Sequence, residues 1–181
     1  FVLDEPASPS ANIEYHKKAL DRTHKWAKQA IKAKSNNFQK LFGIVQGGKF
    51  ESLRKESAKI VGDMDFDGFG IGGSYVKEDI ATAVRWVNEI LPENKPRHLL
   101  GIGEPEDLFV GVENGCDTFD CVIPTRLGRN GTFFTHSGKI HILNSKFRED
   151  MSPIDEGCLC YTCRTYTKSY VAHLFRANEM I

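Results

Sequence analysis

The chain has 181 residues, 40% hydrophobic and 27% charged, with 24 basic and 24 acidic side chains cancelling to a net charge of zero. That is a globular composition, long enough for one core. It holds no apolar run near the ~18 residues of a membrane span and no signal-peptide pattern, so a cytoplasmic location is expected. Of five cysteines, Cys158, Cys160 and Cys163 fall close together, while Cys116 and Cys121 sit apart in apolar surroundings. An odd, clustered set favours metal ligation over disulfides. The charge is unevenly spread, with Arg126, Arg129, Lys139, Lys146 and Arg148 gathered late in the chain.

The chain begins at Phe1 rather than Met, and Phe1-Val2-Leu3-Asp4 reads as a strand already under way, so a piece of a longer protein is expected. Ser10-Ala11-Asn12 offers N-cap candidates for a long amphipathic helix carrying Ile13, Leu20, Ala27, Ala30 and Ile31, which fades near Ser35. Leu41 to Val45 suits a strand buried on both faces, followed by the loop Gln46-Gly47-Gly48. Phe50 to Val61 has a helical period, and Phe69-Gly70-Ile71 runs into Gly72-Gly73-Ser74. Lys77 to Leu91 is helical up to Pro92, Arg97 to Gly101 is the next strand, and Pro105 opens a helix that Gly115 closes. Asp117 to Cys121 is a further strand, Pro124-Thr125-Arg126 a turn, Thr132 to Ile142 a β-hairpin around His136-Ser137-Gly138, and Tyr161 to Ile181 a terminal helix.

Five apolar runs thus alternate with helices, each followed by a glycine-rich or acidic loop. This predicts a parallel α/β fold with its site at the C-terminal ends of the strands. A (β/α)8 barrel and an open doubly wound sheet both fit. A complete barrel needs about 250 residues, so this chain would hold about the last five strands of one.

Two constellations carry chemistry. Asp120 ends an apolar strand, where a carboxylate is poorly explained by packing, and it leads the catalytic candidates. Cys121 beside it should turn to the opposite face and enter the core. Cys158, Cys160 and Cys163 form C-x-C-x-x-C, a compact thiolate set that suits zinc, which takes four ligands in structural sites.

Phe119-Asp120-Cys121-Val122-Ile123-Pro124-Thr125-Arg126-Leu127-Gly128-Arg129-Asn130-Gly131 resembles the nucleophile motif of the tRNA-guanine transglycosylase family, also called queuine tRNA-ribosyltransferases. Its other motifs follow in order: Asp4-Glu5, Val45-Gln46-Gly47-Gly48, Gly72-Gly73 and the cysteine cluster. The resemblance implies a partial TIM barrel over residues 1–130 and a β-hairpin with a zinc-binding helical subdomain over residues 131–181. It implies exchange of wobble-position guanine for a 7-deazaguanine, either 7-aminomethyl-7-deazaguanine or queuine, through a covalent Asp120-ribosyl intermediate. Asp4, Gln46 and Gly73 would bind the base, since guanine presents N–H donors on one edge and O6 and N7 acceptors on another. Arg126 and Arg129 would contact the tRNA anticodon loop. Zinc would sit on Cys158, Cys160 and Cys163, with a fourth ligand, a histidine, expected beyond Ile181 and His173 outside the site. A homodimer is implied as well. The family's general acid/base aspartate stands in a Thr-Asp-Ser-Gly-Gly motif, and no such motif occurs in these residues.

Some positions depart from the family pattern. Pro6 replaces a cysteine usual in bacterial members, and Ser74-Tyr75-Val76-Lys77 replaces Leu-Ala-Val-Gly; by the resemblance, Ser74 and Tyr75 would line the part of the pocket that judges the 7-substituent, leaving open which base is inserted. Glu78 matches a charge-sensing glutamate and also reads as a first-turn helix acid. Two alternatives stand beside the enzyme: a non-catalytic tRNA-binding accessory subunit of the same family, and an unrelated zinc-stabilised TIM-barrel hydrolase.

Overall fold

The computed structural model describes residues 1–36, 38–73 and 77–179, with the Lys77 side chain left aside. The chain divides into two compact units, Phe1–Cys121 and Val122–Ile181.

In the first unit, α1 (Ile13–Ala33), β1 (Phe42–Val45), α2 (Glu51–Gly62), β2 (Gly68–Ile71), α3 (Ile80–Asn88), β3 (Arg97–Leu99), α4 (Pro105–Glu113) and β4 (Thr118–Phe119) follow in sequence. The strands form one parallel sheet in the order β1-β2-β3-β4. Parallel neighbours need a long crossover, and α2, α3 and α4 supply one each. The helices also pack on each other in chain order, α1 on α2, α2 on α3 and α3 on α4. Phe69 and Ile71 of β2 are wholly buried among Val61, Val84, Val87 and Leu99, which is why β2 reads as an unbroken apolar run.

Helix α1 is capped by Asn12, whose side chain accepts the Tyr15 N–H at 2.9 Å. Its buried face is more polar than periodicity predicts, because it includes His16, Thr23 and His24 beside Leu20 and Ala27. His24 Nε2 meets Ser57 Oγ at 3.0 Å, and burial pushes the imidazole below its ordinary pKa. The expected strand at Phe1 to Leu3 is instead an extended segment beside β1, tied by a Val2 N–H to Phe42 carbonyl bond of 3.0 Å. One bond does not make a ladder.

In the second unit, α5 (Ile123–Arg129), the antiparallel strands β5 (Thr132–Thr135) and β6 (Gly138–His141), α6 (Tyr161–Thr165) and α7 (Lys168–Arg176) enclose a core of Ile142, Phe147, Ile154, Val171 and Ala172. The hairpin falls where the sequence predicts it. The stretch read as a Pro-Thr-Arg turn is the helix α5, with Pro124 in its first turn, where the missing N–H costs nothing. The single terminal helix is in fact two, broken at Tyr166 and Thr167. The Thr167 side chain accepts the Tyr170 N–H and restarts the helix.

Candidate active site

The strand register decides which side chains meet at the edge of the sheet. The last paired row is Val45, Ile71, Leu99 and Phe119. One residue further stand Gln46, Gly72, Leu100 and Asp120, on the opposite face because strand residues alternate. The ladder continues into this row, with Gly72 N–H donating to Val45 O at 2.9 Å and Leu100 N–H to Ile71 O at 3.1 Å. Gln46 and Asp120 therefore belong to one row on one face, separated by a glycine and a leucine.

At the β1 end, Gln46 is buried and its Nε2 donates to the Asp4 carboxylate. Asp4 is brought there by Glu5, which is pinned to α1. The Glu5 carboxylate accepts bonds from Arg22 and from Tyr15 Oη (2.8 Å), and its backbone N–H donates to Thr23 Oγ1 at 3.0 Å. The Arg22 guanidinium foremost, and then the Tyr15 hydroxyl, hold the Glu5 pKa down at about 2. Glu5 thus anchors the segment while Asp4 faces Gln46.

Gly73 sits beside this pair with φ near +131°, a conformation that L side chains rarely adopt. A Cβ there would run into the Arg54 guanidinium. Arg54 itself is wholly buried; Nε donates to Gly48 O at 2.7 Å and Nη1 to Gly72 O at 2.6 Å. One side chain on α2 thereby ties together the glycine loops that follow β1 and β2. Ser74 and Tyr75, expected to judge the 7-substituent, lie outside the described residues. Glu78 is exposed in a short 3₁₀ turn, Lys77–Asp79.

At the β4 end, the Asp120 side chain is 59% exposed rather than buried in the core. Its Oδ1 accepts the Gly101 N–H at 2.8 Å and a bond from His98 Nε2 at 3.0 Å. Gly101, at φ near +70°, can aim its N–H this way because it lacks a Cβ. The Gly101 N–H first, and His98 second, hold the Asp120 carboxyl below the usual carboxylate range, so it is ionised at neutral pH. Oδ2 has no hydrogen bond among the described residues. Cys121, expected to enter the core, is instead half-buried with its Cβ against Gly103 and belongs to neither core cluster.

In the second unit, Arg126 and Arg129 are exposed and three residues apart on α5, on neighbouring parts of one helix face. The Cys158, Cys160 and Cys163 sulfurs lie within 4.8 Å of one another. Two thiolates on one zinc stand roughly 3.8 Å apart at a Zn–S bond of about 2.3 Å, so a small inward movement would fit them to an ion. The Cys163 N–H, chief among its partners, lowers the Cys160 pKa, whereas burial raises Cys163 to about 11. An ion would bind all three as thiolates and release their protons. His173 is exposed on α7.

Sequence reasoning missed His98, Gly101 and Arg54. For His98 the available signal was its place in a strand next to that of Asp120; for Arg54, lying in an otherwise charged helix, there was none.

Fold and site define an α/β protein with an amide–carboxylate pair and an ionised carboxylate along the C-terminal edge of a parallel sheet, joined to a unit carrying a thiol cluster. The family model described as queuine tRNA-ribosyltransferase matches residues 1–181, and the chain belongs to that family. It is 50% identical to the queuine tRNA-ribosyltransferase of Thermoanaerobacter pseudethanolicus, over 99% of this chain and 49% of that protein. It is 46% identical to the protein of that name from Anoxybacillus flavithermus and 47% identical to that of Bacillus licheniformis, in each case over 99% of this chain and 48% of the relative. The chain spans about half the length of the curated relatives it matches. Family membership removes the unrelated hydrolase as an alternative.

Proposed function

We propose that the protein carrying this chain exchanges guanine at the tRNA wobble position for a 7-deazaguanine base, with Asp120 as the nucleophile. The observation that supports this most is an ionised Asp120 whose Oδ1 is held by two donors while Oδ2 stays open, in the same row as Gln46.

Oδ2 attacks C1′ of the ribose as the C1′–N9 bond breaks and its electron pair leaves with guanine, giving an ester between Asp120 and the sugar. Guanine takes up a proton from a general acid, which the family resemblance assigns to an aspartate outside these residues. The incoming base then attacks C1′ through N9 and gives up its N9 proton to the conjugate base of that same acid, the ester bond breaks, and the Asp120 carboxylate is restored with net retention. Asp4 accepts from the donor edge of the base, Gln46 serves its acceptors, and the backbone at Gly73 allows close approach. In the free protein Asp4 and Gln46 bond to each other, so both stay satisfied until a base parts them. The nucleotide must leave its stack to arrive, and Arg126 and Arg129 hold its tRNA by phosphate or base edges.

We read residues 1–130 as the later part of a (β/α)8 barrel and residues 131–181 as its zinc-stabilised subdomain. The sequential strand order and the helices packed in chain order favour a barrel arc over a doubly wound sheet, whose strand order reverses and whose helices cover both faces. Zinc, when bound to Cys158, Cys160, Cys163 and a histidine beyond Ile181, supplies structural cross-linking only. The protein works in the cytoplasm as a homodimer; an open groove walled by Phe133, Tyr161, Tyr166 and Tyr170 offers apolar surface for a second copy.

The test is to incubate the whole protein with tRNA and radiolabelled guanine, with and without Asp120→Ala. Uptake of label by tRNA should vanish in the variant. Uptake that survives the substitution would count against Asp120 as nucleophile and favour a different carboxylate.

A further inference from the structure

His98 lies two residues before the Leu100–Asp120 row, directly opposite Thr118 in the β3–β4 register. Asp120 lies two residues beyond Thr118, hence on the same face. The imidazole bridges the two: Nδ1 is 2.8 Å from Thr118 Oγ1, and Nε2 is 3.0 Å from Asp120 Oδ1. An ionised carboxylate can only accept, so Nε2 carries the hydrogen; in the neutral ring Nδ1 then accepts from the Thr118 hydroxyl. The Phe1 ring packs on the imidazole at 5.1 Å, and the side chain is only 13% exposed, so the ring has little room to turn.

We infer that His98 is a positioning residue for the exchange reaction, held by Thr118 and Phe1 so that it and the Gly101 N–H occupy Oδ1 and present Oδ2 to the ribose. This rests on the reading of Asp120 as the nucleophile. A carboxylate on an exposed strand end can rotate about χ2 and offer either oxygen at a range of angles. Two donors converging on one oxygen from β3 and from the loop after it stop that rotation. Binding of tRNA or of the base involves neither His98 nitrogen, so the arrangement should act on the covalent step and leave substrate affinity alone.

The experiment uses the whole protein, a tRNA bearing guanine at the wobble position, and radiolabelled guanine. His98→Phe keeps a ring beneath Asp120 and removes the donor; His98→Gln restores a donor near the position of Nε2. Loss of orientation should lower kcat roughly ten- to a hundredfold in His98→Phe with KM for guanine and tRNA nearly unchanged, and His98→Gln should recover most of that loss. A kcat for His98→Phe within about twofold of the natural protein, or a His98→Gln no better than His98→Phe, overturns the inference. Should His98→Phe fail to fold, Thr118→Val decides instead. It keeps the ring and removes the bond that orients it, so a lowered kcat supports the inference and an unchanged one overturns it. Asp120→Asn separates this claim from the one beneath it. If Asp120→Asn still forms a covalent tRNA adduct, both readings fail; if it forms none while the His98 variants exchange normally, only the role of His98 fails.

Discussion

Burying a guanidinium costs several kcal/mol unless its protons are met, and Arg54 has no exposed surface. Its partners include the Gly48 and Gly72 carbonyls, in the two loops that flank Gln46 and Gly73. Arg54→Leu would leave both carbonyls without that donor, at about 1–3 kcal/mol for each group that water cannot reach. The expected loss of stability is about 2–4 kcal/mol in urea unfolding, accompanied by weaker guanine binding. A variant that keeps the natural midpoint would show that the loops hold their shape unaided. At this scale Asp120 was legible as a candidate because packing does not explain a carboxylate at the end of an apolar strand, whereas Asp4, Gln46 and Gly73 were candidates only through the motif resemblance, each having an ordinary structural reading as a cap, a surface amide or a turn. Arg54 was not legible, and His98 only through its place in the strand next to that of Asp120. Their roles depend on which backbone or side chain lies opposite, and only the register between strands and the packing of α2 on the sheet determines that.

Regular elements could be read wherever burial dictates a period. The parallel strands β1, β2 and β3 and the helices α2, α3 and α4 fall close to their apolar patterns. The misreadings lie where local hydrogen bonds decide. Pro124 and Thr125 suggested a turn, yet a proline in the first turn of a helix loses nothing, and α5 forms there. Thr167 looked like an ordinary helical residue and is an N-cap. The second unit has a small core, to which Cys163 is attached through α6, so a metal cross-link should matter there. Chelator treatment of the whole protein should make Cys158, Cys160 and Cys163 reactive to a thiol reagent and lower the melting temperature. Cys116, which is buried with its thiol pushed up to about 11, should stay slow. Equal reactivity of the three thiols before and after chelation would argue against a bound ion.

For the molecule as a whole, acid should be destabilising for a definable reason. Glu5 is held at about 2 against an ordinary 4.5, chiefly by Arg22, and the Leu41 N–H with Lys34 and Lys40 holds Asp67 well below its ordinary value. A carboxyl with a folded pKa below its unfolded one binds protons more readily when unfolded. Its stabilisation is present above the unfolded value and is lost as pH falls towards the folded one. Urea midpoints should therefore decline between roughly pH 5 and pH 2.5, and Glu5→Gln should flatten part of that slope. An unchanged slope in Glu5→Gln would mean that the Arg22 pair does not persist in solution. The same pair tethers the Asp4 segment to α1, so its loss in acid should also loosen the base pocket. The most direct measurement of the central claim is to trap the covalent complex of the whole protein with tRNA, digest both, and locate the ribosylated peptide by mass spectrometry. The account predicts the modification on Asp120, in the peptide running from Phe119 into α5; a sugar ester on any other residue, or no covalent complex during turnover, would contradict it.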